Sequence, residues 1–142
     1  ARSTVLDKDI WTKKLDHPSQ RAWSGYTYEL VCLYHIDNIK KSLGITGIET
    51  QSSIWHNKNA QIDLLIDRRD NVVSICEVKF STEKFLIDKK YFENLQNKIA
   101  EFRNQAPKSK SLQLVMITTF GLQNSKYNSS IVHREIVLDE LF

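Results

Sequence analysis

Two acidic residues and a lysine, Asp63, Glu77 and Lys79, fall in a stretch that reads as two strands around a short polar turn, QIDLLIDRRDNVVSICEVKF, residues 61–80. With Arg69, Asp70 and Asn71 as a three-residue loop, Asp67 faces Val73, Leu65 faces Ile75, Asp63 faces Glu77 and Gln61 faces Lys79. Side chains alternate along a strand, so all eight of these residues share one face. Directly opposed Cβ atoms lie only about 4.5–5.5 Å apart, and like charges placed that way destabilise a sheet. Two carboxylates so arranged invite a cation. Hard oxygen donors without a His or Cys cluster favour Mg²⁺ or Mn²⁺ over zinc. Magnesium commonly takes one or two carboxylates and completes its shell with water and substrate phosphate oxygens. Lys79, two residues after Glu77 on the same face, is placed to position or deprotonate a water, or to stabilise charge on a phosphate. The set suits hydrolysis of a phosphodiester.

An ordinary hairpin with one solvated face would also carry charges freely. Against that, Leu65, Val73 and Ile75 share the face of the carboxylates, and the opposite face, Ile62, Leu64, Ile66, Val72, Cys76, Val78 and Phe80, is almost wholly apolar. A strand pair apolar on both sides is usually central and covered by helices, where an unpaired charge is costly. Glu29 offers a third carboxylate. Glu29, Cys32, Leu33 and Ile36 follow the i, i+3, i+4, i+7 pattern, which sets this glutamate on an apolar helical stripe. Because that helix is apolar nearly all round, both a core-facing glutamate in need of a partner and a partly exposed one are open.

The elements that must position these residues follow from periodicity and punctuation. Residues 1–22 are polar, carry Trp11 and Pro18, and read as an N-terminal arm or linker; residues 23–142 read as one domain. From Trp23 to about Leu43 the pattern suits a helix, with Ser24 as N-cap and Gly44 just past its end. Residues 48–55 read as a strand, followed by the polar turn HNKN and then the hairpin. Tyr91, Leu95, Ile99 and Phe102 recur at helical intervals, which predicts a second helix over about 83–105, ended by Pro107 and KSKS. LQLVMITTF, residues 112–120, predicts a strand buried on both faces; a polar loop over 121–130 and a last strand in IVHREIVLDELF complete the chain. Helix, three strands, helix, strand, strand is the order of an α/β or α+β sheet with helices packed on it.

Composition narrows the class. With 142 residues, 41% of them hydrophobic and 26% charged, the chain can build a single core and has no disordered character. No apolar run approaches the roughly 18 residues that span a bilayer, and no signal peptide marks the start, so a cytoplasmic location is expected. Cys32 and Cys76 lie in apolar surroundings without CxxC spacing and read as reduced core residues. A formal charge of +3 permits a nucleic-acid partner without demanding one. The chain begins with alanine, which suggests an excised domain or a processed product.

Asp63, a thirteen-residue gap and Glu77-Val78-Lys79 resemble the signature of the PD-(D/E)xK nuclease superfamily, with Ile62 where the motif name has proline. Glu29 matches the glutamate often found on that superfamily's first helix. More closely, GYTYELVCLYHI, SSIWHNKNAQIDLLIDRRD and ICEVKFS resemble the nuclease-like domain at the C-terminus of a group of bacterial and archaeal AAA-type P-loop ATPases, over about residues 23–120. The resemblance implies a restriction-endonuclease-like fold, a central mixed sheet flanked by helices. It implies that Asp63, Glu77 and the Val78 carbonyl hold the metal, with Glu29 a further acidic ligand, and that Lys79 is the catalytic lysine. Gln61 is a neighbour of that site, and Gln96 and Lys98 on the second helix are placed to line it. The implied partners are nucleic acid, DNA ahead of RNA, and an ATPase upstream of these residues, since no GxxxxGK[ST] occurs within them. Double-strand cleavage would suggest a homodimer. The competing expectation is an inactive module that keeps the fold and binds nucleic acid or a protein for that ATPase, because a fold does not determine a function.

Overall fold

The computed structural model describes residues 35–141. Five strands form one sheet in chain order: β1 (Thr50–His56), β2 (Gln61–Arg68), β3 (Val72–Lys79), β4 (Ser111–Thr118) and β5 (Val132–Val137). β1, β2 and β3 pair antiparallel, and β4 and β5 run parallel to β3, so the sheet is mixed. Helices α1 (Ile36–Ser42), α2 (Lys89–Arg103) and the short α3 (Asn128–Ile131), with a 3-10 turn at Leu138–Leu141, complete the described residues. The architecture is the expected α+β one, a central mixed sheet flanked by helices.

The β2–β3 hairpin has the expected register, with Leu65 opposite Ile75 and Asp67 opposite Val73. Its three-residue loop closes because Asn71 adopts φ +66°, a left-handed conformation that asparagine tolerates better than most residues. Both faces of the sheet are covered. On one side Ile39 of α1 and Leu138 and Leu141 of the 3-10 turn pack over Leu64, Ile66, Cys76, Val115, Ile117 and Ile136. On the other, Leu95 and Phe102 of α2 pack over Leu65, Val73, Ile75, Leu114 and Met116. β4 feeds alternate side chains to both layers, which explains its unbroken apolar run. Cys76 is fully buried in the core, as expected.

Element ends are set by local hydrogen bonding. α1 stops where Gly44 takes φ +73°: its N–H donates to the Lys41 carbonyl at 3.0 Å and that of Ile45 to Lys40 at 2.9 Å, a Schellman closure. α2 starts at Lys89, later than its periodicity predicts. The preceding segment is instead tied to the loop after β4, with Phe85 donating to the Gly121 carbonyl at 2.9 Å and Gln123 donating to Phe85 at 2.8 Å. The Asp88 carboxylate then caps the helix by accepting from the Tyr91 N–H at 2.8 Å. β5 ends at Val137 rather than running to the last residues, because Leu138 and Leu141 turn back into the core. The helix expected over Trp23 to about Leu43 is not continuous through His35, because α1 begins at Ile36 with His35 as its N-cap; Ser24, Glu29, Cys32 and residues 1–22 lie outside the described residues. No helix among the described residues is long and apolar enough to cross a membrane.

Candidate active site

Between the pairs Ser53–Leu65 and Trp55–Ile62, β2 carries one residue more than β1, so Asp63 and Leu64 together stand opposite Ile54. This is a β-bulge, a device that re-aims side chains and ends pairing. On the other flank of β2, the ladder with β3 reaches Leu64–Cys76 and goes no further. At that point the two acidic side chains take over from the backbone. Asp63 Oδ2 accepts the Val78 N–H at 2.8 Å, and Glu77 Oε2 accepts the Asp63 N–H at 3.1 Å. Each carboxylate therefore satisfies a main-chain donor where the two strands part. The hairpin arithmetic brought Asp63 and Glu77 together, as the sequence predicts, although they meet through carboxylate-to-backbone bonds rather than as a ladder pair.

Two expectations need correction here. Ile62 does not share the layer of Leu64 and Ile66; the extra residue turns it to the α2 side, where it packs in the cluster of Leu65 and Ile75. Gln61 does not oppose Lys79 either. It pairs with His56 on β1, beyond the end of the β2–β3 ladder.

Helix α2 supplies the rest of the site. Lys98 Nζ donates to Glu77 Oε1 at 2.5 Å, and the Glu77 side chain is only 1% exposed. Two turns earlier on the same helix face, Tyr91 lies beneath Lys79, whose ammonium sits 5.2 Å from the ring centroid. The Tyr91 hydroxyl is buried and has no hydrogen-bond partner among the described residues. Burial raises the Glu77 carboxyl to about 7, helped by the charge of Asp63 and opposed by Lys98. Burial likewise pushes the Tyr91 phenol up, with added repulsion from Glu77 and Asp63, so it stays neutral.

Asp63, Glu77, Val78, Lys79 and Lys98 thus meet at one end of the sheet. Gln96 is exposed and lines a separate surface cleft with Phe92, Ile99 and Arg103. Lys84, Lys89 and Lys90 are also exposed, as a solvated face would be. Tyr91 was legible only as part of the apolar stripe of α2; its seven-residue spacing from Lys98 was the available signal that both point one way.

No group of three or more His, Cys, Asp or Glu side chains gathers among the described residues. The two carboxylates nevertheless fit one hard divalent cation, since burial and, second, the Asp63 charge hold Glu77 toward its neutral form, a penalty that a cation would offset, and magnesium commonly uses one or two protein carboxylates. No known family's sequence model matches the chain, and no curated protein matches it.

Proposed function

We propose that residues 23–142 form a metal-dependent nuclease-like domain of the PD-(D/E)xK type that hydrolyses phosphodiester bonds in DNA. The observation that carries this reading is the interlock of Asp63 and Glu77 at the open end of the β2–β3 ladder, with Lys79 two residues on. Asp63 and Glu77 would hold Mg²⁺ or Mn²⁺. The cation, when bound, supplies Lewis-acid polarisation of the phosphate and a more acidic water. The chain's own contribution is positional. The bulge in β2 aims Asp63, the β3 backbone fixes Glu77 beside it, and Tyr91 supports the Lys79 ammonium near an incoming phosphate. Lys79 offsets negative charge that grows on the phosphoryl oxygens during attack. An upstream ATPase domain is the proposed partner, as the sequence resemblance implies.

The Glu77–Lys98 pair favours a second reading, a non-cleaving module that binds nucleic acid or a partner protein, because it already neutralises one of the two acids. Incubation of a mixed panel of DNA and RNA with Mg²⁺ or Mn²⁺ separates the two. Metal-dependent cutting by the parent, lost in folded Asp63→Ala and Lys79→Ala, is the expected result. Binding without cutting, indifferent to both substitutions, would establish the module instead.

A further inference from the structure

Glu77 has two carboxylate oxygens and both are engaged, Oε2 by the Asp63 N–H and Oε1 by the Lys98 ammonium. The Asp63 N–H is fixed by the strand, whereas Lys98 reaches Glu77 from α2 on a flexible stem. Each oxygen keeps a second lone pair, but of its two partners Lys98 is the charged one, and its ammonium on Oε1 opposes a second cation there. We propose that Lys98 and a divalent cation are rival partners of Glu77 Oε1, so that cation binding drives Lys98 off the carboxylate. This rests on the metal-site reading above.

Charge supports the exchange. With Glu77 ionised, Asp63, Glu77, Lys79 and Lys98 carry two negative and two positive charges, a balanced set. Adding a divalent cation while Lys98 stays protonated leaves an excess of two positive charges, which repels Lys98 from Glu77 and attracts the phosphates of a nucleic-acid strand. Lys98 has room to move: its side chain is 17% exposed, so it is not sealed inside the core as the Glu77 side chain is. Lys98 is therefore a positioning residue that holds Glu77 in place, and on release becomes a counter-charge for the substrate backbone.

Lys110 provides an internal reference. Its ammonium is paired with Asp67 at 2.8 Å and its side chain is 19% exposed, close to the exposure of Lys98, yet Asp67 lies toward the hairpin loop, away from Glu77. Lysine acylation of the full chain, read residue by residue by mass spectrometry with and without Mn²⁺ and without nucleic acid, tests the exchange. Mn²⁺ titration calorimetry is run beside it. Lys98 should become several-fold more reactive with Mn²⁺ while Lys110 does not change, and Asp63→Ala should abolish the rise. Lys98→Gln, where it folds, should tighten Mn²⁺ binding by about tenfold by removing the rival charge. Mn²⁺ binding that depends on Asp63 but leaves Lys98 reactivity unaltered would overturn this inference alone. The absence of any Mn²⁺ binding by the parent would overturn it together with the metal-site reading.

Discussion

Glu77 should make the fold less stable as the pH rises through neutrality, in spite of its ion pair. Its carboxyl titrates near 4.5 in the unfolded chain and at about 7 when folded, with burial the main cause and Asp63 the second. Between those two values the folded protein holds a proton that the unfolded chain has lost. The stabilisation is fully present below about pH 4.5 and is lost as the pH climbs to about 7, at roughly 1.4 kcal/mol per pH unit, for roughly 3 kcal/mol in all. Other groups titrate over the same range, so the quantity to follow is a difference. Urea unfolding of the parent and of Glu77→Gln at intervals from pH 4.5 to 8.5 gives two profiles in which the other groups largely cancel. The parent should lose roughly 3 kcal/mol relative to the variant across that window. A parent that gains on the variant with rising pH would mean that Lys98 dominates Glu77, with burial and Asp63 secondary, and would refute the reasoning. A flat difference would refute it as well.

Lys98→Met should strand the Glu77 charge and cost about 3–5 kcal/mol at pH 8.5, less at pH 5 where the carboxyl takes up a proton; chemical denaturation at the two pH values checks this. Asp63→Asn keeps an oxygen for the Val78 N–H but removes the neighbouring charge, so the stability loss tied to Glu77 should shrink and move to lower pH in the same difference profiles. Asp88→Ala removes the α2 cap and should lower stability by about 1 kcal/mol, seen in thermal unfolding.

Much of this geometry was readable from residue types. The hairpin register followed from the DRRDN turn and the alternation on either side of it, because a one-residue change in loop length would put Leu65 on the opposite face from Val73 and Ile75. The two-sided burial of β4 followed from its unbroken apolar run. The bulge at Asp63 was not legible, since a single extra residue leaves composition and alternation almost untouched while it turns Ile62 to the other layer and carries Gln61 away from Lys79. The late start of α2 was hidden for a similar reason: Phe85 and Ile87 continue the apolar spacing of a helix but are bound to the loop after β4. Lys98 entered, with Gln96, only as a polar helix residue that the resemblance would place along the site, and its pairing with Glu77 depends on how α2 crosses the sheet, a tertiary property. The Glu29 expectation falls outside the described residues and is the part of the site on which the fold has no bearing.

The bonds that Asp63 and Glu77 make to the main chain also shape how such a domain would age. A descendant that no longer cut nucleic acid would still need both acids, because each closes a backbone donor where β2 and β3 separate, and selection for folding alone would preserve them. Lys79 carries a lighter structural duty: its ammonium rests over an aromatic ring, an attraction worth about 0.5–1 kcal/mol at an accessible position. On the proposed nuclease reading, drift after a loss of cleavage would reach Lys79 well before either acid, and the lysine would be the more telling record of selection for that chemistry.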